Sequence, residues 1–242
     1  PAELQHTDYL LSEATYGNRL HKDTDPKKEI QDIILKTISK GGTVLIPAFA
    51  VGRAQSVLYY IHLLKQEGAI PDIPVFLDSP MAISATNLLL RFQHEHQLSK
   101  ETAHAICDPM VYVQTVEDSK KLDTSPMPSI IISASGMATG GRILHHLKHF
   151  MVDSKSTVLF TGFQAGRTRG DRIVQGEKEI KIHGQMHPVH AQIENIESLS
   201  AHADYREILD WLHHFKKAPA KTFITHGEPQ SAMALQEKIK QE

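Results

Sequence analysis

The run Thr43-Val44-Leu45-Ile46-Pro47 is a continuous apolar stretch, and a different pattern follows it within a few residues. From Gln55 to Gln66, apolar residues recur at the spacing of an amphipathic helix, with Leu58, Ile61 and Leu64 on one face. A short apolar run without polar alternation is typical of a strand that is buried on both faces. This strand and helix therefore predict one repeat of a parallel α/β sheet.

The same alternation extends along the chain on both sides of this pair. Asp25-Pro26 opens a predicted helix that Gly41-Gly42 ends. Further strands are predicted at 8–13, 74–78, 130–133, 157–160 and 221–225, and further helices at 82–96, 143–150 and 205–215. The residues from about 178 to 193 suggest short alternating strands, and 108–129 is the least regular part. We predict an α/β fold with a mainly parallel sheet covered by helices on both faces.

Composition excludes some classes of protein. Of the 242 residues, 40% are hydrophobic and 22% are charged, as in ordinary globular chains, and the net charge is −2. Any contact with nucleic acid must therefore come from local patches. No stretch approaches the roughly 20 apolar residues of a membrane helix, and the opening Pro1-Ala2-Glu3 does not resemble a signal peptide. The single cysteine, Cys107, favours a reducing, cytoplasmic location.

Four short segments carry residues that catalysis could use. Glu13 follows the first strand, His202 lies in the small-residue turn 198–204, and His226 ends the strand 221–225. The fourth segment, 133–142, is rich in hydroxyl groups and glycine and opens a helix, which favours an anion.

Each segment also has an ordinary structural interpretation. Glu13 taken alone is more often a solvated turn residue, and Asp204 or Ser200 is equally suited to cap the next helix. The position of His226 also fits a strand-end histidine with its hydrogen bonds satisfied, and glycines also serve tight turns. The residues alone thus indicate an α/β protein with a candidate anion site.

Longer motifs connect the four segments. Three such motifs occur in series along the chain. They are the loop Ile46-Pro47-Ala48-Phe49-Ala50-Val51-Gly52-Arg53, the run Leu77-Asp78-Ser79-Pro80-Met81-Ala82, and the loop 135–142 with His145-His146-Leu147. In order and spacing, from about Leu10 to Glu228, they resemble the β-CASP branch of the metallo-β-lactamase superfamily. Its RNA-processing nucleases include the nuclease subunit of the cleavage and polyadenylation specificity factor.

The resemblance implies roles for individual residues. Glu13 matches the acidic first motif, and His202 matches the histidine that contacts the scissile phosphate or donates a proton. His226 matches a ligand of one of two zinc ions, and Ser200 and Ala201 are expected beside the phosphate. The ends of the strands carrying Glu13 and His226 should converge with the turn of His202. The Glu13 carboxylate should then lie within direct hydrogen-bond reach of the His202 ring, about 3 Å, or be joined to it through one water.

Other residues are predicted to contact RNA phosphates. They are Ser135, Gly136, Arg142, Arg167 and Arg169. Arg167 stands where the family usually has glycine, which makes the backbone conformation of loop 162–170 an open question. Arg53 and Arg142 have a second interpretation, in which they cap helices or pair with acids inside the fold.

The resemblance also implies a division of the chain. Residues 1–18 and 195–242 are expected to belong to a metallo-β-lactamase αββα sandwich, and 19–194 to an inserted β-CASP domain, with RNA in the cleft between them. The main zinc motif, His-x-His-x-Asp-His, is absent, and His94-Glu95-His96 is rejected as a substitute because it falls on a predicted helix. We therefore expect the chain to begin after the upstream ligands, to bind no zinc at this site by itself and to be inactive alone.

The expected function is that of a zinc-dependent endoribonuclease, with a 5′→3′ exonuclease activity as a further option, acting on single-stranded RNA. A non-catalytic RNA-binding or scaffold protein and a DNA nuclease remain alternatives, and a homodimer is an open possibility. The histidines at 145, 146 and 149, and those at 183, 187 and 190, are interpreted as surface clusters.

Overall fold

The computed structural model describes residues 6–107 and 110–241. The opening Pro1-Ala2-Glu3 and Asp108, the first residue of the segment predicted to be least regular, lie outside these ranges. Contacts divide the chain into two compact units. The larger unit is Thr24–Ile196, and the smaller unit combines the residues up to Asp23 with those from Glu197 onward.

The described residues contain ten strands. They are β1 (Tyr9–Glu13), β2 (Val44–Pro47), β3 (Val75–Asp78), β4 (Met110–Tyr112), β5 (Ile130–Ser133), β6 (Thr157–Phe160), β7 (Glu179–Ile182), β8 (Gln185–Pro188), β9 (Gln192–Asn195) and β10 (Lys221–Thr225).

Nine α-helices separate or follow these strands in the described ranges. They are α1 (Pro26–Ile38), α2 (Arg53–Gln66), α3 (Pro80–Arg91), α4 (Lys100–Cys107), α5 (Val116–Leu122), α6 (Ile143–Phe150), α7 (Arg169–Val174), α8 (Tyr205–Leu212) and α9 (Pro229–Gln241). None of the described helices is long and apolar enough to cross a membrane.

A six-stranded parallel sheet forms the centre of the larger unit, in the order β4-β3-β5-β2-β6-β9. Every residue of β2, β5 and β6 is buried, as expected for strands covered on both faces. The prediction of a parallel α/β sheet is confirmed. Strands β7 and β8 form a separate antiparallel hairpin.

Capping residues fix where the helices beside this sheet begin. The Asp25 side chain accepts a hydrogen bond from the Lys27 amide at the start of α1, and Ser79 accepts one from the Ala82 amide at the start of α3. A proline follows each cap, where its missing N–H costs no helical hydrogen bond.

Three local predictions are wrong. No strand or helix is predicted in the segment 108–129, the least regular part of the sequence, yet it contains β4 and α5. The helix predicted at 82–96 ends at Arg91, so His94 and Glu95 lie on a short 3-10 helix and His96 is extended. The helix predicted at 205–215 ends at Leu212, because the chain turns at His213.

The interpretation of His146 as a surface residue is also wrong. The side chain of His146 is fully buried, with Nε2 2.6 Å from Oδ2 of Asp78 and Nδ1 2.6 Å from Oδ1 of Asp123. Asp78 ends β3 and is itself fully buried. Burial alone lowers the pKa of His146, but the hydrogen bonds to the two carboxylates outweigh it and raise the pKa to about 9. His146 is therefore a charged partner inside the fold.

The smaller unit is built on β1 and β10, which pair in parallel with Glu13 opposite Thr225. Its small core contains Ala14, which directly follows β1, together with Ile208 of α8 and Leu235 of α9. Because the two strands run in the same direction, their carboxyl ends lie at the same edge of the sheet.

Candidate active site in the smaller unit

The ends of β1 and β10 approach each other closely. The Ala14 amide donates a hydrogen bond to the carbonyl oxygen of His226 at 3.0 Å. A Cβ atom on Gly227 would lie 2.6 Å from the Ala14 carbonyl oxygen, so only glycine fits here without movement of the backbone. This contact sets Glu13 and His226 side by side.

Glu13, His202 and His226 form one cluster, in which one possible ligand atom from each lies within 4.8 Å of the others. Oε1 of Glu13 is 3.0 Å from Nδ1 of His202, and Oε2 is 3.9 Å from Nδ1 of His226. The two imidazole rings stack, with centroids 5.4 Å apart. The predicted convergence of these three residues, including the distance of about 3 Å, is confirmed.

Thr15 organises the carboxylate of Glu13. Its backbone amide donates to Oε2 of Glu13 at 2.9 Å, and its hydroxyl lies 3.2 Å from Nδ1 of His226. Burial acts to raise the pKa of Glu13, but hydrogen bonds from Thr15 and His202 outweigh burial and hold that pKa below its usual value. Glu13 is therefore ionised at neutral pH and serves as the acceptor for His202.

The protonation pattern of His202 follows from this pairing. A carboxylate can only accept, so Nδ1 of His202 carries the proton that lies between the two residues. The other ring nitrogen, Nε2, is then the atom that can take or give a proton. This arrangement suits a general acid or base that is oriented by a carboxylate.

A cavity of about 560 Å³ lies beside this pair. Its wall includes Glu13 and His202 together with Ser200 and Ala201, the two residues predicted beside the phosphate. The Ser200 hydroxyl also accepts a hydrogen bond from the His202 amide at 3.2 Å. His226 is 68% exposed and does not form part of the wall.

The donor set of the cluster suits a zinc ion by its chemistry. Two imidazoles and one carboxylate are ligand types that zinc accepts, and three protein ligands suffice for an open catalytic site. Both oxygens of Glu13 already accept hydrogen bonds, however, from His202 and from Thr15. His226 is the member best placed to bind a metal, because its Nδ1 lies 3.2 Å from the Thr15 hydroxyl and 3.9 Å from a carboxylate oxygen of Glu13.

The residues predicted to contact RNA in the larger unit have varied surroundings. Ser135 accepts a hydrogen bond from the Thr139 amide, and Gly136 is so close to Phe49 that a Cβ would lie 2.9 Å from its ring. Two amides here already have acceptors: that of Ala138 donates to the Ser135 carbonyl, and that of Ile143, the first residue of α6, donates to the Ala134 carbonyl. The loop thus offers an anion fewer amides than its glycine content suggests.

The three arginines differ in how far their side chains are occupied. Arg142 donates to Oδ1 of Asp78 at 2.6 Å and to two backbone carbonyls, so it pairs with an acid inside the fold. Arg169 donates to three backbone carbonyls. Arg167 is exposed. Its φ of 69° lies in the left-handed region, which favours glycine, the residue that the family usually has at this position. Arg53 is the first residue of α2.

Comparison with known proteins agrees with the motifs. Residues 54–173 match the family model of the Beta-Casp domain. Residues 186–242 match the RNA specificity domain of Zn-dependent metallo-hydrolases. The chain belongs to the β-CASP branch of the metallo-β-lactamase superfamily. The smaller unit, with Glu13, His202 and His226, thus lies partly within the region matched by the second model.

Several relatives of this β-CASP chain are named as RNA enzymes or termination factors. It is 36% identical to a ribonuclease of Thermus thermophilus over 94% of the chain and 53% of that protein. It is 31% identical to the transcription termination factor FttA of Methanosarcina mazei, over 93% of the chain and 38% of that protein. It is 30% identical to an RNase J-like protein of Methanocaldococcus jannaschii, over 96% and 55%. The chain therefore spans about half the length of these relatives, or less.

Sequence reasoning missed two residues of the site. Thr15 directly follows the Glu13-Ala14 pair, so its closeness to the carboxylate could have been anticipated from position alone. His21 also lines the cavity, and its Nε2 lies 2.8 Å from the carbonyl oxygen of His202. Nothing in the local sequence indicates that contact, because the two residues are 181 positions apart.

Proposed function

We propose that the intact protein containing this chain is a zinc-dependent ribonuclease that hydrolyses phosphodiester bonds in single-stranded RNA. The observation that carries the proposal is the Glu13–His202 pair, set beside His226 at the meeting point of two parallel strands. The named relatives support RNA as the substrate. Endonucleolytic cleavage is the primary activity proposed, with 5′→3′ exonucleolytic cleavage as a second mode.

Glu13 and His202 act together in this proposal. The Glu13 carboxylate accepts the Nδ1–H of His202 and orients the ring, so that Nε2 can donate a proton to the leaving oxygen of the RNA. Ser200 and Ala201, in the wall of the same cavity, stand beside the phosphate.

The metal belongs to the same proposal. His226 would hold one of two zinc ions, with the remaining ligands outside the cluster described above. When bound, two zinc ions supply charge that polarises phosphoryl oxygens and lowers the pKa of water. This chain alone is proposed to be inactive because three candidate ligands cannot complete two such sites.

A further part of the proposal concerns the smaller unit. Tyr9, Leu11 and Phe223 of its two-stranded parallel sheet are 65%, 71% and 43% exposed. Parallel sheets are normally covered on both faces, and exposed apolar side chains of this size usually mark a surface that another layer covers. This supports the assignment of 1–18 and 195–242 to a metallo-β-lactamase sandwich, with 19–194 as the β-CASP domain.

The test uses the full-length protein with His202→Ala. Cleavage of labelled single-stranded RNA should fall by about 10²-fold or more, as for loss of a positioned acid or base. Zinc content should remain that of the wild type, because His202 is not assigned as a ligand. His214→Ala is the matched control, since His214 is an exposed histidine of the same unit outside the cluster.

Other outcomes separate the alternatives. RNA binding without cleavage by the wild-type protein would favour the non-catalytic RNA-binding function. Cleavage of DNA but not RNA would favour a DNA nuclease. Loss of zinc from His202→Ala would show that the roles of His202 and His226 are divided incorrectly.

A further inference from the structure

His21 contacts both sides of the turn that carries His202. Its Nε2 atom lies 2.8 Å from the carbonyl oxygen of His202. Its backbone amide donates to Oδ2 of Asp204 at 2.9 Å. One residue thus holds the main chain at His202 and the side chain two positions later.

The direction of the hydrogen bond to the His202 carbonyl determines which ring nitrogen of His21 carries a proton. A carbonyl oxygen can only accept, so Nε2 of His21 must carry a proton and donate it. The Nε2 lone pair is then not available to a metal or to a substrate proton. Through Nε2, His21 therefore acts on the backbone of His202.

Asp204 makes the second contact rigid. It is 6% exposed and caps α8, where its Oδ1 accepts from the amides of Arg206 and Glu207. Burial acts to raise the pKa of Asp204, but three backbone N–H groups outweigh burial and keep that pKa low. The turn is thus tied to the first turn of a helix, and His21 is tied to the same carboxylate.

The same contacts argue against a metal site at this place. His21, Asp204 and Glu207 each offer a possible ligand atom within 4.8 Å of the others. In the structure the side chains of these three residues already form hydrogen bonds with backbone groups. Nε2 of His21 donates to a carbonyl, Asp204 accepts three amides, and Oε2 of Glu207 accepts the Asp204 amide.

Tyr16 packs the two histidine rings into one arrangement. Its ring is 2% exposed and meets the His21 ring edge-on at 5.3 Å and the His202 ring edge-on at 6.3 Å. Because both rings contact one buried aromatic side chain, a shift of His21 must also change the packing of His202.

We propose that His21 is a positioning residue for His202, whose orientation toward the substrate depends on the hydrogen bond from the His21 ring to the His202 carbonyl. The proposal rests on the proposed function of His202 as a proton donor. A misplacement of about 1 Å in a catalytic group can lower a rate by about 10²-fold. The effect of losing His21 should therefore fall on turnover, and not on RNA binding.

The first test measures cleavage of single-stranded RNA by the full-length protein. His21→Ala should lower kcat about tenfold to 10²-fold with little change in KM. His21→Gln should restore most of the activity, because its side-chain amide reaches the position of Nε2 and can still donate. In the His202→Ala background, His21→Ala should cost no further activity, since it acts only through His202.

The second test does not depend on activity. The His202 amide donates to the Ser200 hydroxyl, so its hydrogen exchange reports whether the turn is held. The His202 amide should exchange faster in His21→Ala and at close to the wild-type rate in His21→Gln. The melting temperature of each variant is compared with that of His214→Ala, which shows the effect of losing an ordinary exposed histidine.

Several outcomes would overturn the inference. One is wild-type turnover in His21→Ala, and another is an equal further loss in the His202→Ala background. A third is unchanged exchange at His202 in a folded His21→Ala protein. If the wild-type protein cleaves no RNA, the proposed function fails instead, and the exchange experiment still decides whether His21 holds the turn.

Discussion

Nδ1 of His202 lies 3.0 Å from Oε1 of Glu13, although 189 positions separate the two residues. The larger unit, Thr24–Ile196, lies between them in the sequence, and its six-stranded sheet does not include β1 or β10. Glu13 is positioned by the pairing of β1 with β10, and His202 by the turn before α8. Two elements far apart in sequence thus produce one ionised carboxylate and one oriented imidazole.

The number of zinc ions bound by this chain alone is the first prediction. The cluster supplies three possible ligand atoms, so it can hold one ion at most. Metal analysis after dialysis should give fewer than two zinc ions per chain. If a zinc ion is bound at the cluster of Glu13, His202 and His226, His226→Ala should remove it. Two ions per chain that both depend on His226 would contradict the assignment of the missing ligands to residues outside this cluster.

Gly227 provides a test of how closely the strand ends must approach. Gly227→Ala should destabilise the smaller unit by about 1–3 kcal/mol, the usual cost of overpacking, because its Cβ would lie 2.6 Å from the Ala14 carbonyl oxygen. Urea titration measures this cost. Gly140→Ala is the matched control, since a Cβ there meets nothing within 4 Å, and it should leave the free energy of unfolding nearly unchanged.

Arg142 and Arg167 should behave differently in RNA binding. Arg167 is exposed, so Arg167→Ala should reduce the slope of log K against log salt by about one unit if it contacts a phosphate. Arg142→Ala should instead cost about 1–3 kcal/mol of stability, because it removes a donor from the fully buried Asp78. The opposite pattern, with a changed salt slope only for Arg142→Ala, would show that RNA contacts the loop 135–142 and not the loop 162–170.

Much of the larger unit could be predicted because strands buried on both faces leave a simple pattern. β2, β5 and β6 are uninterrupted apolar runs, and the sequence shows them directly. β4 and α5 leave no such pattern. β4 has three residues at the edge of the sheet, and α5 carries mostly charged residues, so neither has the periodicity that predicts an element.

The site was predictable only in part for a related reason. Glu13, His202 and His226 were found because they stand in recognisable motifs, and composition alone left them as ordinary turn residues. The role of His21 depends on a hydrogen bond to a residue 181 positions away. Contacts of this kind arise from the packing of distant segments, which local spacing does not encode.

His146 shows the same limit in the larger unit and leads to the last prediction. Its partners, Asp78 and Asp123, are 68 and 23 positions away, so its burial could not be deduced from its place in a histidine-rich helix. The charged groups that face it are these two carboxylates, with Arg142 on the other oxygen of Asp78. Its pKa rises from an ordinary value of 6.5 to about 9 in the folded protein.

A raised pKa means that the folded protein holds this proton more tightly than the unfolded chain does. The stabilisation is fully present below pH 6.5 and is lost as the pH rises through about 9. The pKa of Asp78 is lowered despite burial, by hydrogen bonds from His146, Ser119 and Arg142, so its contribution is lost instead at acidic pH, below its ordinary value of 3.8. The ion pair between His146 and Asp78 should therefore stabilise the protein most between about pH 3.8 and pH 6.5.

Urea titrations followed by circular dichroism at several pH values measure this effect. The free energy of unfolding should fall by a few kcal/mol between pH 6.5 and 9 in the wild type. His146→Leu should be less stable at pH 6.5 but should lose much of this slope, because the titrating group is gone. His149→Gln, a change at an exposed histidine of the same helix, should keep the wild-type slope. A slope that is flat in the wild type, or that is lost equally in both variants, would show that the buried His146 does not carry the charge assigned to it.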